Sequence, residues 1–258
     1  ISLKPEAVDC IVFWTKDPAP MLGGLDKLSS YPYYVQISIT PYGKDIEENL
    51  RPKADIIKTV QELSRRLGRE RVVWRYDPIL LNEAYPIGFH LDWFKDTLEK
   101  LAPYVERCII SFIDLYAKAR KNTQGLNLHE LSESEMDALA AGLSQIAKGS
   151  GVMLQTCSEE IDLDLYGIGH GACIDSSLVE RITGKSVKAG KAKSQRPLCN
   201  CVESFDIGAY DTCIHGCRYC YANASAEKAR QGFRKHNPRA SVLTGELTGD
   251  EKIIVHEE

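Results

Sequence analysis

Short runs of β-branched and aromatic residues alternate along this chain with segments whose apolar residues recur at helical spacing. That alternation narrows the possible folds more than any other feature. Residues 8–15 (VDCIVFWT), 33–40 (YYVQISIT), 71–76 (RVVWRY), 107–112 (RCIISF) and 152–156 (VMLQT) read as buried strands. Between them, residues 54–67 carry Ile56, Ile57, Val60, Leu63 and Leu67 at helical spacing, and Gly68 supplies a stop. Residues 90–101 form a second amphipathic pattern. Residues 132–148 form a third, opened by Ser132 with Glu135 three positions on as a capping box. Residues 172–175 are expected to be a short sixth strand followed by a helix.

Strands and helices in this order imply βαβ units around a parallel sheet. Five or six units predict an α/β fold, a (β/α) barrel or partial TIM-like barrel, with a doubly wound open sheet as the competing architecture. The barrel units occupy residues 1–180. Residues 181–198 form a connector, and residues 199–258 a cysteine-bearing segment that packs onto the same barrel, giving a single domain.

The connector is distinct in composition. Residues 181–196 (RITGKSVKAGKAKSQR) hold six Lys or Arg and no acid. They read as an exposed loop, with an electrostatic arm for phosphate or nucleic acid as the sharper alternative. The chain as a whole carries a formal net charge of −4, which argues against a general polyanion binder. No apolar run approaches the roughly 20 residues that span a bilayer, so no membrane partner is expected. The chain opens on Ile1 rather than Met, so its start says nothing about a signal peptide. Residues 202–210 (VESFDIGAY) read as a further strand and residues 222–234 as a helix.

There are nine cysteines. Cys10, Cys108, Cys157 and Cys173 are scattered, and core packing is the first reading for them. Cys199, Cys201, Cys213, Cys217 and Cys220 fall within 22 residues. An odd count with one dense group points to reduced thiols and a metal site rather than a disulfide framework, and hence to a reducing cytoplasm. Residues 213–220 read CIHGCRYC, a Cys-x3-Cys-x2-Cys spacing in which Gly216 allows a tight turn. Thiolates in this arrangement suit an iron–sulfur cluster or zinc. Three ligands leave one iron of a [4Fe–4S] cluster open. The competing site is structural zinc, with Cys199 or Cys201 as fourth ligand.

The octapeptide resembles the Cys-x3-Cys-x-aromatic-Cys signature of radical S-adenosylmethionine (SAM) enzymes, with Tyr219 at the aromatic position. The longer run CNCVESFDIGAYDTCIHGCRYCYAN, with IVFWTKDPAPM, WRYDPIL and SFIDLYAK, resembles a bacterial family known as domain of unknown function 1848. The first resemblance implies a [4Fe–4S] cluster on Cys213, Cys217 and Cys220. SAM would chelate the open iron, an external electron donor would reduce the cluster, and a 5′-deoxyadenosyl radical would abstract hydrogen from a substrate the sequence does not identify. Radical SAM enzymes carry this motif after their first barrel strand, whereas here it lies near the C-terminus. A circularly permuted radical-SAM-like barrel reconciles the two if residues 202–210 act as the first strand, beside 8–15. Thr15-Lys16-Asp17-Pro18 then occupies the place of the Gly-Gly-Glu segment that often binds SAM.

In such a barrel, chemistry gathers at the carboxyl ends of the strands. Arg75, Thr15, Lys16 and Gln155 are therefore the candidate contacts to SAM, and Tyr219 is expected to pack over the cluster. Arg75 and Asp77 share strand parity, so an internal ion pair is the alternative role for Arg75. Glu159 and Glu160 read as a solvated helix start. Two other functions stay open: a cluster-containing redox or sensing protein without SAM, and a zinc-stabilised, non-enzymatic module touching nucleic acid through residues 181–196.

Overall fold

The computed structural model describes residues 2–115, 117–193, 195–247 and 249–250. Tyr116, Ser194 in the connector and the 251–258 tail lie outside the described residues. Six parallel strands form one sheet in sequence order: β1 (Ile11–Thr15), β2 (Tyr33–Ser38), β3 (Val72–Ile79), β4 (Arg107–Phe112), β5 (Met153–Thr156) and β6 (Gly169–His170). The helices are α1 (Ala19–Leu22), α2 (Lys53–Leu67), α3 (Ile87–Leu101), α4 (Ala117–Asn122), α5 (Glu133–Ala147), α6 (Ser176–Thr183) and α7 (Ala226–Arg234). Sequential parallel order is that of a TIM-like barrel. Among the described residues, however, β1 and β6 do not pair and the sheet stays open.

The two faces of the sheet follow strand parity. Val35, Ile37, Val72, Trp74, Cys108 and Ile110 point outward into the main core, where α2, α3 and α5 cover them. The opposite parity, Tyr34, Val73 and Ile109, forms a separate small cluster with Leu178 and Val179 of α6. So α6 and its flanks cover the concave face of the sheet, opposite α2, α3 and α5. The same face carries Gln36, Arg75, Ser111 and Gln155 by register.

The local rules of capping and periodicity hold where they were clear. Ser132 accepts from the Glu135 N–H, and Glu135 reaches back to the Ser132 N–H, completing the capping box of α5. Strand β3 runs three residues past its expected end. There the Tyr42 hydroxyl donates to Pro78 O (2.7 Å) and accepts from Leu80 N–H (2.9 Å), anchoring the extension from another loop. Three expectations fail. Residues 172–175 are not a strand: β6 lies earlier, at Gly169–His170, and Asp175 instead caps α6 by accepting from Ser177 and Leu178 N–H. Residues 202–210 form no strand beside β1. Val202 makes an antiparallel bridge to Lys191 and a backbone bond to Ile174 O, neither to β1, and Phe205, Ile207 and Tyr210 are exposed, so the run has no buried face to pair with. The C-terminal helix begins at Ala226 rather than 222, because Ser225 caps it by accepting from Lys228 N–H (3.1 Å). Among the described residues no helix is long and apolar enough to cross a membrane.

Candidate metal centre at the strand ends

Residues 213–220 reach the carboxyl ends of the strands by docking onto connections that leave them. Arg218 N–H donates to Ile46 O (2.9 Å), and Asn49 N–H donates to His215 O (2.9 Å). The Asn49 side-chain amide donates to Ile214 O (3.0 Å), and Glu47 and Cys217 form an antiparallel bridge. Residues 46–49 lie between β2 and α2. The Arg218 guanidinium then bonds Asn122 O (3.0 Å) and Gln124 O (2.7 Å) at the end of α4. Gly216 turns the loop at φ +71°, and a Cβ there would lie 2.9 Å from the Asn49 side-chain nitrogen. The left-handed backbone therefore favours glycine, and any side chain there would push the Asn49 amide out of place.

A buried carboxylate holds this junction together. Glu47, 1% exposed, takes Lys16 (2.7 Å) and Lys53 on its two oxygens. Thr40 (2.8 Å) and the Tyr219 hydroxyl also donate to it. Lys16 lies 5.2 Å from the centre of the Tyr219 ring, which meets Tyr42 edge-on. Burial pushes the Glu47 carboxyl up, but the two lysines outweigh it and hold the group at about 2. Burial lowers the Lys53 ammonium despite the pull of Glu47.

All three loop cysteines line one cavity of about 510 Å³, together with Asn223 and with Arg230 and Arg234 of α7. Cys213 is exposed, and Cys217 and Cys220 are half-buried. Burial raises the Cys217 thiol to about 12, so any cation bound there would have to displace its proton. Asn223 donates to Cys213 O (2.7 Å), and its side-chain oxygen is buried without a partner. Among the described residues no three or more His, Cys, Asp or Glu converge on a point where a single ion would sit. A cubane cluster offers each cysteine a different iron, so its ligands face a volume rather than a point. Three thiols around one cavity fit that requirement.

None of the five residues expected to contact a cofactor is among this cavity's lining, although Tyr219 lies between the lining residues Arg218 and Cys220. Thr15 closes a turn by accepting from Asp17 N–H (3.0 Å), and Lys16 and Tyr219 belong to the Glu47 junction. Arg75 is buried. It bonds both Asp77, the internal pair its parity suggested, and Gln36 Oε1 (3.0 Å). Gln155 differs, because its Oε1 is buried with no partner.

Two features depart from the reading of the sequence. Glu159 is no solvated helix start. Its carboxylate accepts from Ser111 Oγ (2.7 Å) and Phe112 N–H (3.0 Å), and burial raises it to about 7, within reach of Asp114 and Asp77. Cys157 and Cys173 do not join the main core. They lie with Cys199 and Cys201 in a cluster of their own. The available signal was positional, since Cys157 directly follows β5 and Cys173 closely follows β6. Of the basic connector, Arg181 pairs with Glu106 (2.7 Å), Arg196 with Asp114 (2.6 Å), and Lys191 bonds Pro197 O (2.7 Å).

Fold and site together define a parallel α/β protein that presents a cysteine loop at its strand ends. The family model described as domain of unknown function (DUF1848) matches residues 1–222, and the chain belongs to that family. The match takes in the whole sheet and all nine cysteines. No curated protein and no solved structure matches the chain.

Proposed function

We propose that this is an iron–sulfur protein of the radical SAM type, with a [4Fe–4S] cluster on Cys213, Cys217 and Cys220 and SAM on the open iron. The observation that carries the proposal is that the three thiols line one cavity on a loop pinned to the connections after β2 and α4. When bound and reduced by an external donor, the cluster with SAM would supply hydrogen-abstraction chemistry. The chain's own residues have separable tasks. The Glu47 junction holds the loop rigid through Tyr219 and the Cys217 bridge. Arg230 and Arg234 bring positive charge to the cavity, suited to the carboxylate of a bound amino acid. Gln155 retains an unspent acceptor on the concave face. Glu159, poised near neutrality, can hold or release a proton there.

One observation favours a second reading, a cluster protein for electron transfer or sensing. Arg75, Lys16 and Tyr219 are already spent on internal partners, so fewer groups remain for SAM. Anaerobic reconstitution separates the two. The radical SAM reading expects about four iron and four sulfide at the loop. It also expects a paramagnetic spectrum that changes on adding SAM, and 5′-deoxyadenosine on reduction. A cluster whose spectrum ignores SAM would leave the electron-transfer reading. Loop variants Cys213→Ala, Cys217→Ala or Cys220→Ala that keep the full iron content would end both.

A further inference from the structure

Four cysteines from three separate stretches of chain meet on the concave side of the sheet. Cys157 follows β5 and Cys173 follows β6, while Cys199 and Cys201 return from the connector. The return is held by backbone bonds: Ala192 N–H donates to Cys201 O (3.0 Å) and Val202 N–H to Ile174 O (3.0 Å). Cys173, Cys199 and Cys201 are buried and Cys157 is half-buried. The Cys157 and Cys173 sulfurs lie 3.0 Å apart, Cys173 contacts Cys201, and Cys201 contacts Cys199.

We propose that Cys157, Cys173, Cys199 and Cys201 form a second metal site, a four-thiolate cage for a single thiophilic cation, separate from the 213–220 loop. The surroundings support this. Ile174 N–H donates to the Cys201 sulfur (3.3 Å), and Arg75 Nη1 donates to the Cys173 sulfur at 2.7 Å. Such donors stabilise sulfur that carries charge. A divalent ion with four thiolates keeps two negative charges, and Arg75, which also pairs with Asp77, places a hydrogen-bond donor against one of those sulfurs. Gln155 Oε1 and Ser158 Oγ, on either side of Cys157 in sequence, are buried without partners, so this corner is more polar than core packing needs.

Size favours one ion. Tetrahedral zinc with thiolates at about 2.3 Å keeps neighbouring sulfurs close to contact. As they stand the four thiols run as a chain of contacts and, like the loop cysteines, do not converge on one point, so binding a single cation requires rotation about χ1 to close them around it. Zinc is the expected occupant, since four thiolates in a tetrahedron are its usual structural site.

The test is metal analysis of the full chain, prepared anaerobically with zinc and iron supplied. The Cys213→Ala/Cys217→Ala/Cys220→Ala variant should keep about one zinc per chain, with X-ray absorption showing four sulfurs at about 2.3 Å. Cys199→Ser/Cys201→Ser should lose that zinc and keep the loop iron. If the latter does not fold, cobalt(II) added to the loop variant serves instead, and tetrahedral thiolate–cobalt absorption bands are expected. Four free thiols and no metal in the loop variant would overturn the proposal, as would a Cys157–Cys173 disulfide in reduced preparations or zinc lost together with the loop cysteines. Iron with sulfide in that variant would overturn the single-ion assignment. Wild-type protein that holds zinc but no iron would instead defeat the loop-cluster reading alone.

Discussion

Replacing Glu47 with Gln tests whether one carboxylate holds the cysteine loop on the sheet. The substitution keeps the shape and an acceptor for Thr40 and Tyr219, but removes the charge that two largely buried lysines share. Holding the carboxyl at about 2 instead of 4.5 contributes about 3 kcal/mol of folding stability at neutral pH. Breaking a buried ion pair by removing one partner costs about 3–5 kcal/mol, so the two routes agree. Urea unfolding of Glu47→Gln should therefore show a loss of about 3 kcal/mol at pH 7. The sign with pH follows from a depressed carboxyl. The contribution is whole above pH 4.5 and disappears as pH falls from 4.5 towards 2, so wild type and variant should converge in acid. Because the Glu47 carboxylate also holds the Tyr219 hydroxyl, two residues from Cys217, alkylation of Cys217 in metal-free protein should also accelerate in the variant. A loss below about 1 kcal/mol, or a difference that persists unchanged to pH 2, would refute the junction as described.

Three further outcomes follow from the same geometry. Gly216→Ala forces a left-handed turn on alanine and drives its Cβ against Asn49. It should cost about 1–2 kcal/mol in urea unfolding and lower iron retention after reconstitution; unchanged values in both would contradict the docking. Gly232→Ala places a Cβ 2.0 Å from Asp211 O, a backbone collision that no rotamer relieves. Limited proteolysis should then cut α7 at Arg230 or Arg234 faster than in wild type, and equal rates would show that α7 does not need that close approach. His90 is buried, with its Nε2–H donating to Leu80 O (2.9 Å) and Nδ1 accepting from the Tyr76 hydroxyl (2.7 Å). Burial lowers it from 6.5 to about 4, so its contribution is whole above pH 6.5 and is lost as pH falls to about 4. His90→Phe should flatten the stability profile over that window while costing about 1–3 kcal/mol at pH 7 through the two unpaired groups. A variant profile as steep as wild type would assign the acid sensitivity elsewhere.

The parts of the fold legible in the sequence are those decided locally. Strand β4 matches its expected bounds, and α5 its capping box, because an apolar β-branched run and a Ser-x-x-Glu pair need no distant partner. The end of β3 was not legible because Tyr42, remote in sequence, fixes it. Residues 202–210 misled for the opposite reason: their alternation looks like a strand, but strand pairing needs a buried face and an open edge, and here the apolar side chains stay in solvent. Nothing in the sequence singles out Glu47, and only the fold brings Lys16, Lys53 and Tyr219 to it.

The absence of that strand changes how the cysteine loop relates to the sheet. A permuted barrel would carry the loop to the strand ends covalently, on a strand paired with β1. Here it arrives by hydrogen bonds to residues 46–49, 122 and 124, and by one buried carboxylate. A docked loop can open at a cost set by those few contacts, whereas a paired strand opens only with its sheet. The loop thiols are thus held at a local stability well below that of the core. Cys157, directly after β5, and Cys173, buried against Arg75 and Gln36, are fixed by the sheet itself. The two thiol groups therefore differ in mobility as well as in place. The accessible, docked trio suits a centre that must meet small molecules, and the buried quartet suits one that holds structure.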